Sequence, residues 1–96
     1  MGFIYIIWSI DYGVGVYRIV KSNGNTNLPP NIELIRKYSY VNENLAEIYL
    51  RNVLNKFLHN REFYKCPQEW LELACQYVQK IVNRDEEIMD LDLPWV

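Results

Sequence analysis

The side chains here whose types and spacing could do chemistry are arginines and lysines set among aromatic residues. "VYRIVKS", residues 16–22, places Arg18 and Lys21 around a hydrophobic strand-like core. "IRKYSY" and "REFYK" repeat the mixture, with Arg36 and Lys37 in the first and Arg61 in the second. Cations of this kind contact phosphate oxygens and tyrosine rings stack on bases, so the pattern suits a shallow nucleic-acid groove. Tyrosine is equally at home in protein interfaces. Arg18 and Lys21 also have a plain reading as solvated strand-edge charges, with lysine discouraging edge pairing. At the level of residue types both readings stand.

Other chemistries find less support. Cys66 and Cys75, placed on one helix, would be separated by about 13 Å of rise, beyond disulfide reach. With a single histidine, His59, and no paired cysteine motif, a structural zinc site is not expected. The cysteines read as small buried hydrophobes, and His59 as the exposed end of a helix.

The elements that must position these groups fit one domain. The chain has 96 residues, half of them hydrophobic and 15% aromatic, which is enough for a genuine core. No apolar run reaches the roughly 18 residues of a membrane span. "GFIYIIW" lacks the basic start and cleavage site of a signal peptide. An intracellular protein with no membrane partner is therefore expected. The net charge of −2 is uneven: residues 84–96 carry one Arg against Asp85, Glu86, Glu87, Asp90 and Asp92, a local −4. The remaining residues, 1–83, carry nine Lys+Arg against seven Asp+Glu, a mildly basic +2. A domain over 1–83 and an acidic tail over 84–96 follow.

"GFIYIIW" reads as a largely buried strand, and "VGVYRIVKS" alternates as a second, joined to it through the turn residues of "SIDYGVG". "NGNTNLPPN" is loop, since Pro29-Pro30 forbids a helix there. "IELIRKYSY" alternates as a third strand. From Leu45 to Leu58 the apolar residues fall on one helical stripe, Ala46, Tyr49, Leu50, Val53, Leu54 and Phe57. Asn42 or Asn44 can cap it. "NREFYK" is a short extended or irregular link, and Pro67 opens a second amphipathic helix carrying Trp70, Leu71, Ala74, Tyr77, Val78 and Ile81. In the tail, Ile88, Leu91, Leu93 and Trp95 either fray or dock, on a partner or on the domain itself. The fold class is α+β: a small three-stranded antiparallel sheet in the order β-β-β-α-α, covered by helices.

That order resembles the GIY-YIG nuclease superfamily, and more closely its T5orf172-like branch from phages and large DNA viruses. "GFIYII" supplies the first-strand pattern with Tyr5, and "VYRIVKS" matches Tyr-Lys-Ile-Gly-Lys-Thr/Ser through Tyr17, Arg18, Ile19, Lys21 and Ser22. Glu47 in "NLAEIYLRNVLNKF" and Glu62-Phe63 in "NREFYK" fit the later slots, so the resemblance runs from about residue 2 to residue 80. Two departures stand out. Val20 replaces the family glycine, crowding the surface that a phosphate backbone would approach. "NGNTNLPPN" contains no counterpart of the catalytic arginine that members carry after the second strand.

The resemblance implies a DNA partner and, in an active member, a Mg²⁺-dependent endonuclease. Glu47 would hold the ion, which keeps most of its own waters. Tyr5 would position or deprotonate the attacking water, and Arg18 or Lys21 would contact phosphate. Lys21, Arg36, Lys37 and Asn60 would add nucleic-acid contacts. Each has a plain alternative: Glu47 could close a capping box with Asn44 or pair with Arg51 one turn on, and Tyr5 could be core. With the arginine missing, the expectation is a DNA-directed domain of viral or mobile-element origin, in the cytoplasm or nucleus of a host cell, whose hydrolysis is weakened or lost. The rival is a non-catalytic interaction module that grips another protein or its own copy through exposed aromatics and the acidic tail.

Overall fold

The computed structural model describes residues 2–22, 27–84 and 93–95. Strand β1 (Gly2–Trp8) carries the most apolar run and lies inside the sheet, between the other two long strands. Strand β2 (Val16–Ser22) returns antiparallel on one side, and β3 (Glu33–Tyr40) lies antiparallel on the other. Helix α1 (Glu43–Val53) follows, then two three-residue strands, β4 (Leu58–Asn60) and β5 (Phe63–Lys65), and finally α2 (Gln68–Arg84). The sheet order is β3-β1-β2-β5-β4, all neighbours antiparallel.

The α+β class is as expected, but the sheet has five strands where the sequence suggested three. The link "NREFYK" becomes β5 and the turn before it, with β5 hydrogen-bonded to β2 at Val16–Arg18. Helix α1 also ends at Val53, short of Leu58, and a 3-10 turn at Asn55–Phe57 leads into β4. Leu54 and Phe57 continue the helical apolar spacing because both still pack inward, Leu54 fully buried and Phe57 against the core.

Residues directly opposed in an antiparallel pair share a face. Ile4 and Ile6 therefore point with Lys21, Ile19 and Tyr38 toward the helices. They pack there with Ala46, Leu50 and Leu54 of the α1 segment and Leu71, Ala74, Cys75 and Val78 of α2. Phe3, Tyr5 and Ile7 point the other way, yet Tyr5 and Ile7 are 4% and 3% exposed, so that face is covered too. A bulge on β3 lets Leu34 and Arg36 oppose Ile7 and Ile6, leaving Ile35 unpaired.

Local signals explain several junctions. Asn42 caps α1 by accepting from the Leu45 N–H at 3.1 Å, whereas Asn44 points to Lys21, so no capping box forms between Asn44 and Glu47. Asn83 of α2 donates to the Ser39 carbonyl at 3.0 Å and accepts from the Val41 N–H at 2.9 Å, closing the last turn of the β3 edge. Gln79 adds a bond to the same carbonyl. Cys66 precedes α2 rather than lying within it, and both cysteines are buried and unbridged.

Two tail residues belong to the domain itself. Leu93 is buried, and the Trp95 ring packs on Phe57 and Trp70 at centroid distances of 5.3 Å. Trp95 Nε1 donates to the Val53 carbonyl at 3.0 Å, and Lys56 Nζ donates to the Trp95 carbonyl at 2.9 Å. Ile88, Leu91 and the acids from Asp85 to Asp92 lie outside the described residues. No helix among the described residues is long and apolar enough to cross a membrane.

Candidate nucleic-acid interface

Strand β2 runs four residues past its last pairing with β5 at Arg18. The chain cannot extend β5 further, because Arg61 and Glu62 turn it back into β4, and Asn60 Oδ1 fixes that turn by accepting from the Arg61 N–H at 2.8 Å. A cleft of about 440 Å³ opens where the partner strand is missing. Its floor is the β2 edge from Arg18 to Lys21. One wall is α1 and the residues after it, with Glu47, Leu50, Arg51 and Asn55, and the other is the β4–β5 hairpin, with Leu58, Arg61, Glu62 and Tyr64.

Four cations and two carboxylates line this space, an excess of two positive charges. Glu47 sits between Lys21, 3.5 Å away, and Arg51 at 3.9 Å. Lys21 Nζ also donates to Asn44 Oδ1 at 2.8 Å. On the far wall Arg18 pairs with Glu62 at 3.3 Å. The Arg61 guanidinium has no ion pair among the described residues. Burial pushes the Tyr64 hydroxyl above its ordinary pKa, with Arg51 opposing and Glu47 assisting. The phenol therefore stays neutral as an apolar element of the wall.

The structure brings together three of the expected site residues, Arg18, Lys21 and Glu47, and separates the others. Tyr5 opposes Val20 on the sheet face away from the helices, stacked on Phe3, and Lys37 lies over both rings at 4.1 Å from Phe3 and 5.7 Å from Tyr5. It is core, not a cleft residue. Arg36 turns to α2, where its Nε meets Glu72 at 2.7 Å. Asn60 serves the hairpin turn, and exposed His59 sits in β4 rather than on a helix. Arg61 stood in the "REFYK" mixture of cations and aromatics, but residue types gave no warning of Asn55 and Leu58, and all three join the cleft because the β4–β5 hairpin folds against β2.

These positions decide what the site can do. A water-activating Tyr5 cannot reach phosphate held beside Glu47, because the sheet lies between them. Mg²⁺ is commonly held through one or two carboxylates while it keeps several waters. Glu47 and Glu62 are both engaged by cations, and no three His, Cys, Asp or Glu side chains converge among the described residues. The cation-lined cleft suits an anion whose oxygens displace the carboxylates from Lys21, Arg51 and Arg18.

Comparison with protein-family models, with curated proteins and with solved structures gives no match for this chain. The GIY-YIG resemblance rests on the quoted motifs and their order.

Proposed function

We propose that this chain is a DNA-directed binding domain of GIY-YIG type in which the cleft holds phosphate and hydrolysis is weakened or lost. The observation that supports this reading best is the meeting of Arg18, Lys21, Arg51 and Arg61 in one cleft with only two opposing carboxylates. Phosphate contacts of this kind supply most of the sequence-independent affinity for nucleic acid and make it salt-dependent. The decisive experiment pairs two assays on one preparation: oligonucleotide binding by fluorescence anisotropy across a salt series, and nicking of supercoiled plasmid with Mg²⁺. Binding that weakens steeply with salt, without nicking, is expected. Metal-dependent nicking that vanishes in Glu47→Gln would show an intact nuclease instead, and absence of binding at low salt would end the DNA reading.

A protein-interaction role is favoured by a different surface. Leu45, Ile48 and Tyr49 leave α1 facing solvent beside exposed Val41, a run of apolar side chains at helical spacing. Sedimentation over a concentration series measures whether that stripe joins two copies, and a monomer throughout removes self-association from this reading.

A further inference from the structure

We infer that the cleft takes single-stranded nucleic acid, one or two unpaired nucleotides at a time, in preference to duplex. The inference rests on the anion-binding reading of the same cleft and names its substrate class. Three observations carry it.

The first is shape. Duplex DNA is read by elements that protrude into a groove about 12 Å wide. Here the cations line a space of about 440 Å³ between α1 and the β4–β5 hairpin, the size of a small-molecule site. A strand with splayed bases can enter such a space, and a paired helix cannot.

The second is the exposed backbone of the floor. Past Arg18 no described strand pairs with the cleft side of Ile19, Val20 and Lys21. A strand edge presents alternating N–H donors and C=O acceptors, which complement the edge of an unpaired base. In a duplex the Watson–Crick edge is already occupied. Arg18 and Lys21 point to opposite faces of β2 and stand about 10 Å apart along it, so phosphates can be held on either side of a base lying on the edge.

The third is contrast with the sheet's other long edge. The β3 edge is blunted by its bulge at Ile35, by the Arg36 guanidinium bonded to the Ile35 carbonyl at 2.9 Å, and by the Asn83 amide at Ser39 and Val41. Among the described residues, the β2 edge from Ile19 to Lys21 shows none of these. An extended peptide would also satisfy a free edge, but strands that add to sheets commonly run about 5–6 residues. Past the Arg61–Glu62 turn this edge offers four described strand residues, Ile19 to Ser22.

The test compares oligothymidylate, a hairpin duplex and polyglutamate by anisotropy, and follows backbone amide shifts during the oligothymidylate titration. The single strand should bind about tenfold tighter than the duplex, with the largest shifts at Ile19, Val20 and Lys21, and Arg61→Glu should weaken it about as much. Equal or tighter duplex binding overturns the single-strand inference and leaves the phosphate reading intact. Tighter binding of polyglutamate than of the oligonucleotide, or shifts concentrated on β3, also overturns it. No binding of either nucleic acid defeats the underlying reading as well.

Discussion

Lys21 on β2 and Glu47 on α1 face each other across the floor of the cleft, Nζ to carboxylate oxygen 3.5 Å. The pair ties the sheet to the helix and places a negative charge where a phosphate would sit. Glu47 also meets Arg51, so one carboxylate restrains two cations. The same glutamate would be a metal ligand in a nuclease and is a competitor of the ligand in a binding cleft. The two roles predict opposite mutational signs.

Glu47→Gln should therefore raise oligonucleotide affinity by about 1.4- to fivefold, because an exposed ion pair is worth roughly 0.2–1 kcal/mol. Glu62→Gln should act in the same direction by freeing Arg18. Anisotropy titrations of the two variants against the parent chain measure this. Unchanged or weaker binding in both variants would mean that the carboxylates do not compete with the ligand.

Asn83→Ala removes the donor to Ser39 and the acceptor of the Val41 N–H together. A typical hydrogen bond contributes about 0.5–1.5 kcal/mol net, so a loss of about 1–2 kcal/mol in urea denaturation is expected. The released β3 edge should also make the variant self-associate more readily, visible in light scattering. A variant as stable and as dispersed as the parent would show that Gln79 alone closes the edge.

Trp95→Ala deletes the ring that lies against both Phe57 and Trp70 and frees the Val53 carbonyl and Lys56. Truncating a large aromatic costs about 3–5 kcal/mol when buried. Trp95 is only partly buried, so the lower end of that range applies. The loss is read from thermal unfolding together with the quenched or shifted emission of Trp70. A negligible effect would place Trp95 outside the stabilising core.

Alkaline pH should unfold the chain through its buried protons. Burial raises the Cys75 thiol from its ordinary 9.0 to about 12, and it drives the Tyr40 hydroxyl upward as well, with Cys75 adding to the shift. Tyr40 donates to the Cys75 carbonyl at 2.8 Å, so both groups sit in one dry contact. Between pH 9 and about 12 the unfolded chain has released the thiol proton and the folded chain has not. Stability is thus fully present below pH 9 and falls by about 1.4 kcal/mol per unit above it for that group. Urea midpoints measured from neutral pH upward in the parent and in Cys75→Ala should converge as pH rises. Parallel curves would mean that Cys75 does not titrate differently on folding.

How much of this was legible depended on element length. β1, β2, β3 and α2 each carry seven or more residues, long enough for alternation or helical spacing to declare itself; of the two candidate caps Asn42 serves α1, and Pro67 stands one residue before α2. β4 and β5 have three residues each, too few to display a period of two, so the hairpin that walls the cleft left no pattern. The end of α1 was hidden because Leu54 and Phe57 keep the inward spacing through a 3-10 turn, with no Gly or Pro to mark the stop. Tyr5 is a different case: strict alternation from Ile4 and Ile6 already put it on the opposite face from residues that pack with α1. Arg18, Lys21 and Glu47 were legible as chemistry, but their ion pairing was a matter of tertiary geometry.

The two halves of the chain each supply part of the cleft: Arg18 and Lys21 come from the β1–β2 hairpin, and Arg51 and Arg61 from the segment after β3. No fragment that holds only one half contains the site. Occupancy is therefore linked to folding, and a ligand at a hundredfold its Kd should add about 2.7 kcal/mol to the unfolding free energy. A melting temperature that climbs with ligand concentration reports recognition directly, whatever reaction the chain does or does not perform.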